Sequence, residues 1–256
     1  MNDLTDYTIA HQGRRFTRIC GLFFRLEKMM GFTLEKVVPW GRSFEEYVAM
    51  FALSEVDLQK FILGIGDGPA SFNALIHERG GRMLSADPVY AFSGEQIRGR
   101  IEEIYDDTIE QVAANAEHLR LERFGSAAAL GQVRLRAMER FLRDFEGGKR
   151  ERRYLSAEFP DLPFADHSFD LALCSHLLFL YSEQLEQEFH LRSVMELYRV
   201  AREIRIFPLL DLSHQTSPHL QPVLAELKQA GLQANIERVD YEFQIGPKHM
   251  LRIMSD

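Results

Sequence analysis

Three glycines and one carboxylate carry the first chemical signal in this chain. They lie in the run Phe61-Ile62-Leu63-Gly64-Ile65-Gly66-Asp67-Gly68-Pro69-Ala70-Ser71-Phe72 and at Asp87. An apolar stretch closes on glycines spaced by single residues, and a helical pattern follows at once. That order predicts a buried strand, a tight turn and a helix N-terminus. Glycine tolerates positive φ and lets a ligand come close to the backbone. Pro69 suits a first helical turn, where its missing N–H is not needed. Asp87 closes a second apolar run, Met83-Leu84-Ser85-Ala86, about 20 residues on, where a carboxylate can accept both hydroxyls of a ribose. The chemistry indicated is recognition of a nucleoside-bearing ligand.

Two ligand classes use this geometry. A dinucleotide calls for G-x-G-x-x-G, the last glycine allowing close helix packing. Here the pattern is G-x-G-x-G, and Pro69 occupies the place of that last glycine. The motif resembles that of the class I S-adenosylmethionine-dependent methyltransferases, in which a strand runs into G-x-G-x-G. That family usually has Asp or Glu two residues before the first glycine, where this chain has Ile62. A glycine-rich turn in some other α/β protein is the competing reading of this motif alone.

A second block strengthens the resemblance. Glu158-Phe159-Pro160-Asp161-Leu162-Pro163-Phe164-Ala165-Asp166-His167-Ser168-Phe169-Asp170 leads into Leu171-Ala172-Leu173-Cys174-Ser175-His176. It is similar to the family pattern of an acidic residue, Leu-Pro-Phe, a polar turn, Ser-Phe-Asp and a hydrophobic fourth strand. The resemblance covers about Arg42 to Met254 and implies S-adenosyl-L-methionine as cofactor. It implies that Glu158 accepts a hydrogen bond from the adenine amino group and that Phe159 offers its backbone N–H to the ring. It further implies that the helix before the first strand closes over the cofactor, making Arg42 and Tyr47 candidates to meet the methionyl carboxylate. A surface arginine and a core tyrosine are the alternative. In an open parallel sheet, ligands sit beyond the carboxyl ends of the strands. The expected cofactor set is therefore Arg42, Tyr47, Gly64, Ile65, Gly66, Asp67, Gly68, Asp87, Pro88, Glu158, Phe159 and Ser175.

Methyl transfer from a sulfonium is an in-line displacement, so the protein mainly aligns the nucleophile and excludes water. Alignment alone can contribute roughly 7–11 kcal/mol. A hydroxyl acceptor gains from a base, and His176, following strand four beside the expected methyl position, is the first catalytic candidate. Its alternative role is a hydrogen bond to cofactor or backbone. Asp211 and His214, after strand five, face the same side. His118 and His190 fall within helical patterns and are expected at the surface. No pair of His, Cys or carboxylates has metal-ligand spacing, so no metal is expected, and no hydrolase nucleophile turn is present.

The elements that must position these groups fit 256 residues, one large domain or a domain with an appendage. Hydrophobic content of 46% and charged content of 27% are those of a soluble globular protein. A formal net charge of −8 gives no global attraction to nucleic acid. Cys20 and Cys174 are the two cysteines and form no disulfide framework. No run of about 18 apolar residues and no signal peptide is visible, so a cytoplasmic protein without a membrane span is expected.

In chain order, Arg14 to Met30 is a basic, aromatic helix candidate, read as docking on the domain, with a membrane-surface helix or a lid as sharper options. Ser43 and Glu46 form a capping-box pattern ahead of a helix over 44–51. A helix is expected over 69–79 and stopped by Gly80-Gly81. Helices over 95–121 and 126–145, the second ended by Gly147-Gly148, make a hairpin-like insertion, and its basic stretch 134–153 reads as a solvated face, with an anionic substrate or partner as the sharper option. Strand three is expected over 153–157, a helix from Ser182 or Glu183 to Val200, strand five over 203–210, and a final antiparallel pair over 236–243 and 249–253.

The sequence thus predicts an α/β protein: a seven-stranded, mostly parallel sheet with helices on both faces, an N-terminal helical lid (1–57) and a cofactor-binding domain (58–256) with a helical insertion (93–152). The expected function is methyl transfer from S-adenosyl-L-methionine to a small molecule. A non-catalytic cofactor-binding protein and a nucleic-acid or protein methyltransferase are the alternatives. A nucleic-acid partner is not expected, and a homodimer stays open.

Overall fold

The computed structural model describes residues 38–246 and 248–254. The basic helix expected over 14–30, Cys20 and most of the expected lid lie outside the described residues. Seven strands form one sheet: β1 (Phe61–Ile65), β2 (Arg82–Ala86), β3 (Tyr154–Leu155), β4 (Phe169–Ser175), β5 (Ala201–Phe207), β6 (Gln233–Arg238) and β7 (His249–Met254). Their order is β3-β2-β1-β4-β5-β7-β6. Strands β1 to β5 pair in parallel, and β7 runs antiparallel between β5 and β6. Chain progress reverses between β1 and β4, which makes their carboxyl ends the switch point where a ligand crevice opens.

Six helices cover the sheet: α1 (Phe44–Met50), α2 (Phe72–Glu78), α3 (Gly94–Ala114), α4 (Ala127–Arg150), α5 (Gln187–Val200) and α6 (Leu220–Gln229). Strand alternation divides β1 between two cores. Phe61, Leu63 and Ile65 pack with Val194, Leu197, Leu220 and Val223 of α5 and α6. Ile62 packs on the other face with Phe44, Met50, Phe72 and Ile76 of α1 and α2. Burial on both faces explains the unbroken apolar run. Ile62 is fully buried, worth about 1.5–3 kcal/mol, which is why an apolar residue stands at this strand position.

α1 begins in the expected capping box: Glu46 N–H donates to Ser43 Oγ (3.3 Å) and Ser43 N–H donates to Glu46 Oε2 (2.9 Å). Helix α2 starts later than expected, at Phe72, because Ser71 N–H donates to Arg42 O (3.1 Å) and so leaves the helical pattern. Pro69 therefore lies in the turn and not in the helix. α4 continues through Gly147-Gly148 to Arg150, since Gly148 accommodates the Tyr154 ring where a side chain would collide with it. α3 ends at Ala114, and short 3₁₀ turns at 116–118 and 121–123 lead to α4. A 3₁₀ turn, Phe179–Tyr181, precedes α5, which begins at Gln187. β6 ends at Arg238, short of the expected 243, because the chain then leaves the sheet: Arg120 N–H donates to Phe243 O (2.8 Å) and Ile245 N–H to His118 O (3.0 Å).

Two charged residues depart from their expected setting. Arg134, on α4, is fully buried and not part of a solvated face. His190 is buried, with its ring nitrogens 2.9 Å from Glu186 O and 3.0 Å from Leu178 O, so it serves the core. Among the described residues no helix is long and apolar enough to cross a membrane.

Candidate active site

The carboxyl ends of the parallel strands bring the chemical residues together. Backbone bonds extend the ladder past each strand: Gly66 N–H donates to Ala86 O (3.1 Å), Asp87 N–H to Leu155 O (3.1 Å) and His176 N–H to Phe207 O (2.7 Å). Gly66, Asp87, Ser175 and His176 are thereby held in one row of strand tips, with Glu158 just beyond β3. Gly66 (φ +71°) and Gly68 (φ +51°) turn the chain away from β1 in the left-handed region that glycine tolerates. A Cβ on Gly68 would meet no atom within 4 Å, so there is open space beside this turn.

Asp87 shapes this turn directly. Its Oδ2 accepts Gly68 N–H (2.8 Å) and its Oδ1 accepts Val89 N–H (2.9 Å). Tyr90, from the 3₁₀ turn that Pro88 opens, donates its hydroxyl to Gly68 O (2.7 Å). An ionised carboxylate has about four lone-pair sites, so two backbone donors leave acceptors for further hydroxyls. Burial raises the Asp87 pKa, and the two backbone donors oppose that shift. Glu158 is half-buried, its pKa raised by burial, and its carboxylate bonds to no described residue. It is a free acceptor at the tip of β3.

Five expected cofactor residues make contacts within the fold. Gly64 lies inside β1, opposite Ser85 on one side and Leu173 on the other, so it is part of the sheet and not of the turn. Ile65 is buried in the core. The Phe159 side chain also packs into that core, leaving only its backbone for a ligand. Asp67 points inward: its Oδ1 accepts Tyr47 O–H (2.7 Å) and its Oδ2 accepts Ser85 O–H (2.6 Å). Tyr47 is buried against Phe72 at a ring distance of 4.6 Å, and its hydroxyl is committed to Asp67. It is therefore unavailable to a ligand carboxylate.

His176 Nδ1 lies 3.0 Å from Ser175 Oγ, and its Nε2 bonds to no described residue. Burial, then Arg42 and Arg134, hold the His176 pKa well below its ordinary value, so the imidazole is neutral. The residue has φ +50° and its ring meets Phe207 edge-on at 5.5 Å. A small pocket beside it is lined by His176, Phe207, Leu210, Tyr241 and Phe243.

The field of Arg42 reaches His176. Its Nη1 reaches Trp40 O at 3.5 Å, and its Nε is buried without a partner. Burial, then Arg134, lowers its pKa. Tyr181, on the turn after β4, lies in the fields of both Arg42 and Asp87. Tyr181, Arg134 and Tyr241 carried no motif or spacing signal, and long-range packing brings them here. His214 and His118 face one another elsewhere, with ring centres 5.6 Å apart. Among the described residues no group of three His, Cys, Asp or Glu side chains could hold a metal ion.

Over 221 residues the chain is 32% identical to the uncharacterized protein MJ0045 of Methanocaldococcus jannaschii, covering 86% of this chain and 97% of that protein. The chain belongs to the MJ0045 family. No protein-family model matches it. Solved structures similar to this MJ0045-family chain include a SAM-dependent methyltransferase from Aquifex aeolicus, 16% identical with a TM-score of 0.38, covering 82% of this chain and 87% of that one. Another is the magnesium protoporphyrin IX methyltransferase of Synechocystis with bound SAM, 10% identical with a TM-score of 0.39, covering 83% and 78%. Likeness at this level assigns no role to any residue of the MJ0045 family.

Proposed function

We propose that this protein transfers a methyl group from S-adenosyl-L-methionine to a small-molecule acceptor. The observation that carries the reading is the row of strand tips at β1, β2 and β3. A glycine turn with open space beside it, a carboxylate with spare acceptors and a second, unpartnered carboxylate stand there side by side. They suit a phosphate-free nucleoside, because two carboxylates would repel a pyrophosphate. Asp87 takes the ribose hydroxyls and Glu158 the adenine amino group. Gly66, Gly68 and Pro88 line the approach with backbone, and Arg42 offers its unpartnered Nε to the methionyl carboxylate.

When bound, the cofactor supplies an activated methyl group on a sulfonium. The chain's own part is alignment, exclusion of water and handling of a proton. Ser175 meets His176 at Nδ1, which leaves Nε2 to take the proton of an acceptor hydroxyl. Tyr241 and Phe243 line the space beside it.

The test is incubation of the purified protein with methyl-labelled S-adenosylmethionine and a fractionated metabolite extract. Label in the small-molecule fraction is expected. Cofactor binding with no label transferred would favour a non-catalytic binding protein, and label in RNA or protein would overturn the acceptor class.

A further inference from the structure

The buried ion cluster beside the pocket has more cation than it uses. Arg42 and Arg134 both lie in the field of one carboxylate, Glu46. Three donors already engage Glu46: Oε1 accepts Tyr241 O–H (2.7 Å), and Oε2 accepts Ser43 N–H (2.9 Å) as well as Arg134 Nη1. Holding α4 to α1 in this way uses one nitrogen of Arg134. Its Nε and Nη2 are buried with no hydrogen-bond partner. Those two nitrogens form one edge of the guanidinium, the planar fork that matches a carboxylate with two parallel bonds. Buried donors of this kind are rare in a folded protein and call for a reason.

Neighbours of that guanidinium line the pocket beside His176. The Phe243 ring lies 5.8 Å from the Arg134 guanidinium carbon and also lines the pocket beside His176. Phe124 flanks the guanidinium at 6.0 Å. Tyr241 lines the pocket and touches the cluster through Glu46. An aromatic wall next to a cation with a free bidentate edge recognises a molecule that is apolar at one end and anionic at the other.

We propose that the methyl acceptor carries a carboxylate, received by the Nε–Nη2 edge of Arg134 beside Phe243. This rests on the methyltransferase reading above and adds the charge of the substrate. Arg42 remains with the cofactor's own carboxylate.

The experiment is thermal unfolding of the full chain, titrated with sodium benzoate, benzamide or sodium chloride at constant ionic strength. Each titration is run with and without saturating S-adenosylhomocysteine. Benzoate is expected to raise the unfolding temperature progressively with S-adenosylhomocysteine present, and benzamide and chloride are not. Arg134→Lys should weaken the benzoate response about tenfold or more while leaving the response to S-adenosylhomocysteine in place. Should that variant fail to fold, the comparison of benzoate with benzamide on the native chain decides. Equal responses to the two, or no response to benzoate, overturn the proposal. A benzoate response abolished by S-adenosylhomocysteine assigns the edge to the cofactor's carboxylate and also overturns it. Failure of S-adenosylhomocysteine itself to bind would sink the methyltransferase reading, whereas a benzoate response alone would leave the carboxylate site standing.

Discussion

The carboxylate of Asp67 occupies the space in which a side chain on Gly64 would lie: a Cβ placed there collides with Asp67 Oδ2. Asp67 cannot swing clear, since Tyr47 and Ser85 hold its two oxygens at 2.7 and 2.6 Å. The first glycine of the motif therefore serves the inward-facing acid and not the ligand. Gly64→Ala should destabilise the fold by about 1–3 kcal/mol, the usual cost of overpacking. In an Asp67→Ala background the same change should cost clearly less, because the obstructing oxygen is gone. Urea unfolding of the four proteins measures both, and additive effects would contradict the relationship.

Burial pushes the Asp67 carboxyl from 3.8 up to about 6. The folded chain then binds this proton more tightly than the unfolded chain does. Its contribution to stability is fully present below pH 3.8 and is lost as pH rises through about 6. His176 acts in the opposite sense. Its depressed pKa gives a contribution that is present above the ordinary value of 6.5 and lost as pH falls below it. Comparison with Asp67→Asn removes the first titration and keeps the second. Between about pH 4 and pH 7 the stability of the native chain relative to that variant should fall by about 2–3 kcal/mol. A difference constant with pH would contradict the burial of an ionisable Asp67.

The parts of this molecule that sequence reveals are the ones built by local pattern. The apolar run 61–65 reads as a strand buried on both faces because its residues enter two cores. Ser43 and Glu46 read as a capping box because three residues decide that geometry. Asp87 is legible as the residue ending a strand, and it does control the turn at Gly68. What sequence leaves hidden depends on partners far along the chain. Gly147-Gly148 looks like a helix stop until Tyr154 is seen packed against Gly148. Arg134 looks solvated until Glu46, 88 residues earlier, is found beside it. Tyr47 looks free to meet a ligand until Asp67 takes its hydroxyl.

Glu158 offers a substitution that separates binding from folding. Its carboxylate bonds to no described residue, so Glu158→Gln should leave unfolding within about 0.5 kcal/mol of the native chain. Loss of a hydrogen bond to a charged acceptor should weaken S-adenosylhomocysteine about tenfold in calorimetry. Unchanged affinity would remove Glu158 from the site.

His176 should show its role in the pH dependence of turnover. Because its pKa is depressed, the accepting form persists below the ordinary titration range, and the rate should stay flat from about pH 8 down to about pH 6. A fall centred near 6.5 would contradict the buried, neutral imidazole. His176→Ala should slow turnover roughly 10²–10⁴-fold with cofactor affinity retained.

The most direct measurement is a crystal structure of the protein with S-adenosylhomocysteine. The expected result has the ribose hydroxyls on Asp87, the adenine amino group on Glu158 and the amino-acid carboxylate at Arg42, all across the turn at Gly66 and Gly68. A ligand bound elsewhere, or strand tips that stay empty at saturating concentration, would contradict the placement on which methyl transfer depends.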